Sequence, residues 1–516
     1  MVRLTDAGVA APAEGRPAAS TDSSAQWLLA ALLLTGLAGA AYAQGAFYAR
    51  GQLWLAALLA SAGCLALTGT PIRLDRRWSG SAGPALLIIA AAGWPILAGA
   101  LHAQLVAGLR LGLLVFAVPA TIGCARRLTG QPARLLLDGL FGLGGVLAII
   151  GWYGALRHHA PLAIEGQGLY RAASTLSYPN AAGVLLALLA VLGIALAAGQ
   201  PPDRRWQLRG ALLTVLLVGL AATLSRGAVL ALTAGLVVLA TGLPGLTAGL
   251  GVRRVLAGLA WPLTGAAIGT LALLPSLPVT ATGKPALATG GLLLGMAVGS
   301  ISASAGRLER WAYGVLALAA VATGVLRPFP AVTRTRLSLD SPDRWAAWRA
   351  SWHVFTAHPL SGAGPGLRSL SWRSPDGVRI FSYAHNEYLQ LLATLGLLGL
   401  VLLLAGLAAI GVLLRRHRTA GAAAEDAAAE DAAAEGTAAG DAAAGDAAAE
   451  GTADGTAEGA AGNSNPVALL PTAAAAAVSV VLLVSMTTDF IGHFPSLVLT
   501  AAAVVGCAAP VRPARP

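Results

Sequence analysis

His385 is the residue whose type and setting most favour proton-transfer chemistry. It stands in Tyr-Ala-His-Asn-Glu-Tyr-Leu-Gln, residues 383–390, directly before a long apolar run. A histidine titrates near neutral pH and can serve as a general base, and a helix N-terminus disfavours its protonated form. We therefore predict that His385 is a base. The alternative is that His385 and Asn386 merely cap the helix.

Arginines form the second group of candidates, because the guanidinium fork suits recognition of phosphate. Arg171 precedes one apolar run that begins near Pro179, and Arg226 lies in Ser-Arg-Gly between two others. An arginine beside free helix N–H groups predicts an anion pocket. The alternative is that these side chains snorkel to the membrane interface.

A glycine-rich stretch and a long polar connection lie between these groups. Residues 362–366 read Gly-Ala-Gly-Pro-Gly, which is typical of a tight turn that lets backbone approach a ligand. The connection 328–385 is rich in arginine, which indicates an anionic ligand or pairing with lipid headgroups and loop acids. Its arginines are Arg334, Arg336, Arg344, Arg349, Arg368, Arg373 and Arg379.

The rest of the chain must hold these residues in a membrane. Of 516 residues, 56% are hydrophobic and 11% charged, against about 25% charged in soluble domains. Apolar runs of about 20 residues recur. This excludes an ordinary soluble enzyme and predicts an all-α polytopic membrane protein. We assign the net charge of +11 to arginines in the cytoplasmic connections and to an outer set that topology does not require, so we expect no nucleic-acid partner.

We predict about 12–14 transmembrane helices with one large extracytoplasmic loop, 328–385. Alternate short connections are rich in arginine, as cytoplasmic loops are, which predicts two cytoplasmic termini and an extracytoplasmic site. The candidate spans are 27–43, 52–70, 84–101, 105–124, 135–155, 179–199, 210–224, 227–243, 255–275, 287–304, 311–327, 386–414, 466–489 and 495–509.

Composition divides the chain further. Residues 1–26 are a polar tail predicted to be disordered, and 415–465 form an Ala/Glu/Asp-rich cytoplasmic linker. The helices fall into an N-terminal group, 27–165, a core, 166–414, and a C-terminal group, 466–509. Asp489 and His493 lie at the outer end of an apolar run and could reach the site, but we interpret them as interfacial polar residues.

Three ordered blocks within 165–410 resemble the O-antigen ligase and O-antigen polymerase superfamily of bacterial membrane glycosyltransferases. They are Arg171 with Ser174-Thr175 and Pro179-Asn180, then Ser225-Arg226-Gly227, then Trp348 through 358–366 to 385–390 and 395–399. Ala173 stands where the family often has glycine. The resemblance implies a C-type glycosyltransferase-like fold in the bacterial inner membrane.

The resemblance also implies a reaction. A glycan would pass from undecaprenyl diphosphate to a glycan, lipid or protein acceptor outside the membrane, without nucleotide sugar or ATP. We expect a direct displacement, and therefore inversion, with neither a metal nor a cofactor. Arg171 and Arg226 would bind the diphosphate, and His385 would activate the acceptor hydroxyl. Arg344, Arg349, His358 and Asn386 are further substrate-binding candidates.

Three alternatives remain open. A polymerase of the same superfamily would use a second lipid-linked repeat as its acceptor. A transporter of a lipid-linked or anionic solute would need polar groups near the bilayer midplane, whereas the polar residues here fall mainly at the outer helix ends. A scaffold protein would need no reactive residue.

Overall fold

The computed structural model describes residues 21–68, 83–198, 204–301, 342–374, 377–444 and 466–510. These residues form a helical membrane protein, as predicted, with three small hairpins beside the helices. The helices are α1 Thr21–Tyr42, α2 Ala49–Thr68, α3 Gly83–Leu101, α4 Leu105–Ala125, α5 Gly130–Arg157, α6 Pro179–Ala198, α7 Arg204–Ala222, α8 Arg226–Thr241, α9 Val252–Leu273, α10 Pro285–Gly299, α11 Pro342–Ala357, α12 Glu387–Ala444, α13 Pro466–Met486 and α14 Pro495–Ala508.

Each hairpin consists of two antiparallel strands. β1 and β2 pair Ala163 with Ala172, β3 and β4 pair Gly242 with Ala248, and β5 and β6 pair Leu370 with Phe381. The strands are β1 Ala163–Gly166, β2 Leu169–Ala172, β3 Gly242–Leu243, β4 Thr247–Ala248, β5 Leu370–Ser374 and β6 Gly377–Phe381. The first hairpin carries Arg171 into the site described below.

Eight of these helices are long and apolar enough to cross a membrane, and four shorter ones are also apolar. Each predicted span that lies within the described residues coincides with one of the helices. The predicted span 311–327 and residues 1–20 of the predicted tail 1–26 lie outside the described residues, whereas residues 21–26 of that tail form the start of α1. Helix α11 lies within the predicted loop, and α12 continues as a helix beyond the apolar run into the acidic segment.

Helix α6 is the centre of the core. Its sequence is apolar on every side, which is typical of a helix surrounded by others, and nearly all of its residues are buried. It packs against α5, α7, α8 and α13. The side chains on either side of its first turn are therefore held by a tightly packed scaffold.

Several chain segments meet at the start of α6. Tyr178 and Asn180 lie there, α8 begins nearby at its cap Ser225, and the α13–α14 connection brings Asp489 into hydrogen-bond contact with both. Gly183 permits this approach, because a Cβ there would lie 2.9 Å from the Thr223 hydroxyl. The ends of four helices thus converge on one region.

Helix α12 is broken at Gly396, where φ is 67° and ψ −164°. The break frees backbone groups that a membrane helix cannot leave unpaired, and residues 359–364 and α3 supply their partners. The glycine turn 362–366 packs against α12, and its predicted approach to a ligand stays a prediction. The bonds, donor first, are Ala363 N to Ala393 O (2.8 Å), Gly364 N to Thr394 O (3.0 Å), Leu397 N to Pro359 O (2.8 Å) and Trp94 Nε1 to Leu395 O (3.0 Å).

Candidate functional site

His385 forms a hydrogen-bonded pair with Asp489. The His385 Nδ1 atom lies 3.0 Å from Asp489 Oδ1, and the imidazole is partly exposed. His385 has φ 51°, in the left-handed region that few non-glycine residues adopt. Such conformations concentrate at functional sites. The backbone immediately before α12 therefore holds the imidazole against the carboxylate.

Asp489 is the centre of the hydrogen-bond network. Its Oδ2 atom accepts from the Tyr178 hydroxyl (2.7 Å) and from Asn180 Nδ2 (2.6 Å), while the Phe490 amide donates to Oδ1 (2.9 Å). Only 3% of the residue is exposed. A buried carboxylate with this many donors is stabilised as an anion.

The pKa of Asp489 reflects this competition. Burial would raise the pKa, but the hydrogen bond and charge of His385, with the hydrogen bonds from Tyr178 and Asn180, lower it below its ordinary value. The pKa of the Tyr178 hydroxyl is raised well above its usual value, first by burial and then by the charge of Asp489. At neutral pH, Asp489 is therefore a carboxylate, and the Tyr178 hydroxyl keeps its proton.

Arg171 continues the network from the other side. Its Nη2 donates to Asn180 Oδ1 at 2.6 Å, and its Nε donates to the Thr223 carbonyl at 2.9 Å. The chain of contacts runs from Arg171 through Asn180 and Asp489 to His385. The structure thus brings together a fixed guanidinium and a histidine that are separated by more than 200 residues in the sequence.

Arg226 lies at the start of α8, next to this network. Ser225 caps the helix by accepting from the Ala228 amide, and Gly227 lies against Thr488, since a Cβ there would meet the Thr488 hydroxyl at 2.6 Å. The Arg226 side chain is exposed and makes no hydrogen bond or ion pair to any residue that the structure describes. It is a cation available to a ligand.

The other predicted substrate-binding residues are spread along α11 and beyond. Arg344, in the first turn, lies close enough to Tyr178 for its charge to oppose the rise in the pKa of Tyr178. Arg349 places its Cζ 5.9 Å from the centre of the Trp372 ring. His358 follows the end of α11, roughly 20 Å from Arg344 along the axis, and lies against His102. Of these three residues, Arg344 is the one whose charge acts on the His385 region, through Tyr178.

Asn386 has a structural role in this arrangement. Its Oδ1 accepts from the Leu389 amide at 3.1 Å, which caps α12, and its Nδ2 donates to the Thr487 carbonyl at 2.9 Å. Both polar atoms of the amide are thus occupied. The proposed helix cap is realised by Asn386, whereas His385 points its Nδ1 at a carboxylate.

Aromatic rings surround the pair. Phe490 packs edge-on against His385 (5.3 Å between centroids) and stacks on Tyr383 (4.2 Å) and Tyr178 (5.0 Å). Phe494 stacks on Tyr178 in turn. These rings exclude water from one side of the site, which strengthens the electrostatic interactions inside it.

The interpretation of Asp489 as an interfacial residue is wrong. The residue is buried and hydrogen-bonded to residues at the starts of two helices, α6 and α12, because the α13–α14 connection folds inward over the start of α6. The His385–Asp489 pair could not be predicted from the sequence, because the two residues are 104 positions apart. One signal was available: a lone acid in Thr-Thr-Asp-Phe, between two strongly apolar runs, is expensive in a membrane unless it has a partner.

The site can therefore supply a base and a positive surface. With Asp489 ionised, His385 holds its proton on Nδ1 and leaves Nε2 free to accept one. Arg171 and Arg226 offer positive charge nearby. Within the described residues, no group of three or more His, Cys, Asp or Glu side chains is arranged to hold a metal ion.

A comparison with known families identifies the central part of the chain. Residues 210–404 match the family model described as O-Antigen ligase, a family of glycosyltransferase-like ligases and polymerases that act on lipid-linked glycans in membranes. The predicted resemblance is confirmed. The match contains Arg226, Arg344 and His385, whereas Arg171 and Asp489 lie outside it. No curated protein matches the chain.

Proposed function

The chain carries a domain of the O-antigen ligase superfamily, and from this premise we propose that it transfers a glycan from undecaprenyl diphosphate to an acceptor hydroxyl. The acceptor is a surface polymer, a lipid or a protein, and transfer takes place on the extracytoplasmic side of the inner membrane. The observation that carries the proposal is the His385–Asp489 pair, joined through Asn180 to Arg171.

The reaction is a direct displacement in this proposal. His385 Nε2 accepts the proton of the acceptor hydroxyl, and the hydroxyl oxygen forms a bond to the anomeric carbon of the donor. The bond from that carbon to the diphosphate oxygen breaks, and its electron pair leaves with the diphosphate. Because attack and departure occur on opposite faces, the anomeric configuration inverts.

Each group has a role that follows from its contacts. The Asp489 carboxylate fixes the proton of His385 on Nδ1 and stabilises the imidazolium that forms, as in histidine–aspartate pairs of other enzymes. Arg226 has no partner among the described residues, so it binds the diphosphate and stabilises its developing charge. Arg171, already oriented by Asn180 and Thr223, adds a second positive group.

The test uses a strain that lacks the gene, complemented with wild type, His385→Ala or Arg226→Ala. We expect the lipid-linked glycan to accumulate and delivered polymer to fall about 10²–10⁴-fold for His385→Ala and about 10²–10³-fold for Arg226→Ala. Membrane levels of each protein are measured alongside. Normal transfer by both variants would refute the proposal.

The same strain distinguishes a ligase from a polymerase. Loss of a ligase leaves long chains undelivered on the lipid carrier, whereas loss of a polymerase leaves single repeats. Mass spectrometry of the extracted glycolipid separates the two. We expect long undelivered chains.

A further inference from the structure

A second histidine–carboxylate pair lies beside the first. The Glu387 carboxylate is 3.3 Å from His493 Nδ1 and accepts from the Gly492 amide at 3.0 Å. Glu387 is mostly buried and His493 about one-third exposed. Gly492 makes the contact possible, because a Cβ there would lie 2.8 Å from the Glu387 carboxyl carbon.

The two pairs join the same two segments, but the segment that supplies the histidine in one pair supplies the acid in the other. The start of α12 supplies His385 and Glu387, and the α13–α14 connection supplies Asp489 and His493. Each segment thus gives one histidine and one acid. This arrangement fixes the register of the two segments, since a shift of either would break both pairs at once.

Phe490 lies between the two pairs. Its ring centroid is 5.3 Å from that of His385 and 6.1 Å from that of His493, and Tyr383 stacks on it while packing edge-on against His493 at 4.9 Å. A displacement of His493 would therefore shift the packed Phe490 ring and, through it, His385.

The charges reinforce this geometry. Burial alone would lower the pKa of His493, but the charge of the Glu387 carboxylate and its hydrogen bond raise it above the usual value. Protonated His493 and ionised Glu387 therefore attract each other. Removing either partner leaves the other poorly paired in a partly buried position, which is costly.

We propose that Glu387 and His493 are positioning residues for the reaction, because their contact across the α12 start and the α13–α14 connection holds His385 and Asp489 in register. The inference rests on the proposed role of His385 as the base. Neither residue touches the reacting atoms in this proposal. Their effect is on the orientation of the imidazole, which must be correct within a fraction of an ångström.

The experiment compares Glu387→Ala, His493→Ala and the double variant in full-length protein in lipid nanodiscs. The donor is the glycolipid extracted from the deletion strain. We expect kcat to fall about 10- to 100-fold in each single variant with KM for that glycolipid unchanged. We expect kcat of the double variant to be no lower than kcat of the less active single variant, as expected for residues that act as one unit.

His493→Asn provides the conservative variant. Its amide nitrogen occupies the position of Nδ1 and still donates to Glu387, so we expect it to restore most of kcat. His353→Ala and Glu165→Ala are the matched controls, because both residues are exposed and lie outside the two pairs. We expect both controls to match wild type.

A second readout does not depend on transfer. The rate at which diethyl pyrocarbonate modifies His385, followed by mass spectrometry, reports how the imidazole is held. We expect a severalfold change in Glu387→Ala and His493→Ala and none in the controls. Unchanged kcat and unchanged modification in both variants would overturn the inference, even where His385→Ala abolishes transfer. Wild-type transfer by His385→Ala would instead refute the proposed function.

Discussion

At the scale of single residues, the chemistry depends on which nitrogen of His385 is left free. Asp489 occupies Nδ1 at 3.0 Å, so Nε2 is the nitrogen left to accept a proton. An amide at position 489 would keep the shape of the site. Its carbonyl could still accept the Nδ1 proton of His385, but without a negative charge. Its NH₂ group could instead donate to Nδ1, which would favour the tautomer with the proton on Nε2. The carboxylate therefore sets both the tautomer and the electrostatics of the base.

Asp489→Asn is expected to reduce kcat about 10²–10⁴-fold, because it removes the charge that balances the imidazolium and permits the wrong tautomer. Steady-state transfer in nanodiscs measures the loss. Asp343→Asn is the matched control, since Asp343 is exposed and pairs with Arg379. Equal rates for Asp489→Asn and wild type would show that His385 needs no carboxylate.

The pH dependence of stability follows from the same carboxylate. The pKa of Asp489 is lower in the folded protein than its usual 3.8, so the stabilisation is present above that value and is lost as the pH falls through the folded pKa. We expect Asp489→Asn to unfold more easily than wild type at neutral pH, by about 1–3 kcal/mol, and the difference to shrink in acid. Thermal unfolding from about pH 7 to about pH 3 tests this. A difference that stays constant over that range would contradict it.

At the scale of elements, the site depends on how helices begin. Left-handed residues precede three of the helices that carry it: Ser177 before α6, Leu224 before α8 and His385 before α12. Each turns the chain sharply so that side chains from adjacent residues face one region. The break in α12 belongs to the same scale, because it joins the glycine turn 362–366 to the helix that begins directly after His385 and Asn386.

Gly396→Ala is expected to destabilise the protein by about 2 kcal/mol or more. The residue has φ 67°, and a Cβ there would lie 2.3 Å from the Leu360 carbonyl oxygen. Gly406→Ala in the same helix is the control, since a Cβ there meets nothing within 4 Å. Thermal unfolding in detergent compares the two variants. Similar midpoints for both would show that the break is not required.

At the scale of the whole molecule, α6 stands at the centre of the core, and it is packed by α5, α7, α8, α9, α13 and α14. The reactive residues gather at the end of the bundle where α6, α8 and α12 begin and α13 ends. If α6 runs inward from the outer side, as the distribution of arginines predicts, this end is extracytoplasmic. The orientation of α6 in the membrane therefore determines whether the site can meet a lipid-linked donor on the extracytoplasmic side.

Cysteine labelling tests that orientation. Cys64, Cys124 and Cys507 are first replaced by serine or alanine. We expect Glu165→Cys, on the exposed first hairpin, to react with a membrane-impermeant maleimide in intact cells, and Arg204→Cys, at the start of α7, to react only after lysis. The reverse pattern would invert the topology and place the site in the cytoplasm.

The helices could be predicted from the sequence because a bilayer core tolerates little else: apolar runs must be helical to satisfy their backbone. The predicted span 105–124 coincides with Leu105–Ala125. Helix α11 was not predicted as an element, since its mixed tryptophans and arginines give no apolar run. His385 and Arg171 could be found from their settings, but their connection through Asn180 and Asp489 depends on tertiary contacts between distant segments.

The break in α12 also bears on how the chain enters the membrane during synthesis. The carbonyl of Leu395 is bonded by Trp94 of α3, and its neighbours are bonded by residues 359–364. All of these partners are translated before α12, so they are already in place when that segment leaves the translocon. The hydrogen-bond partners of the break are thus synthesised before α12. Because α12 inserts next to these partners, its unpaired backbone groups are less costly than they would be in an isolated helix.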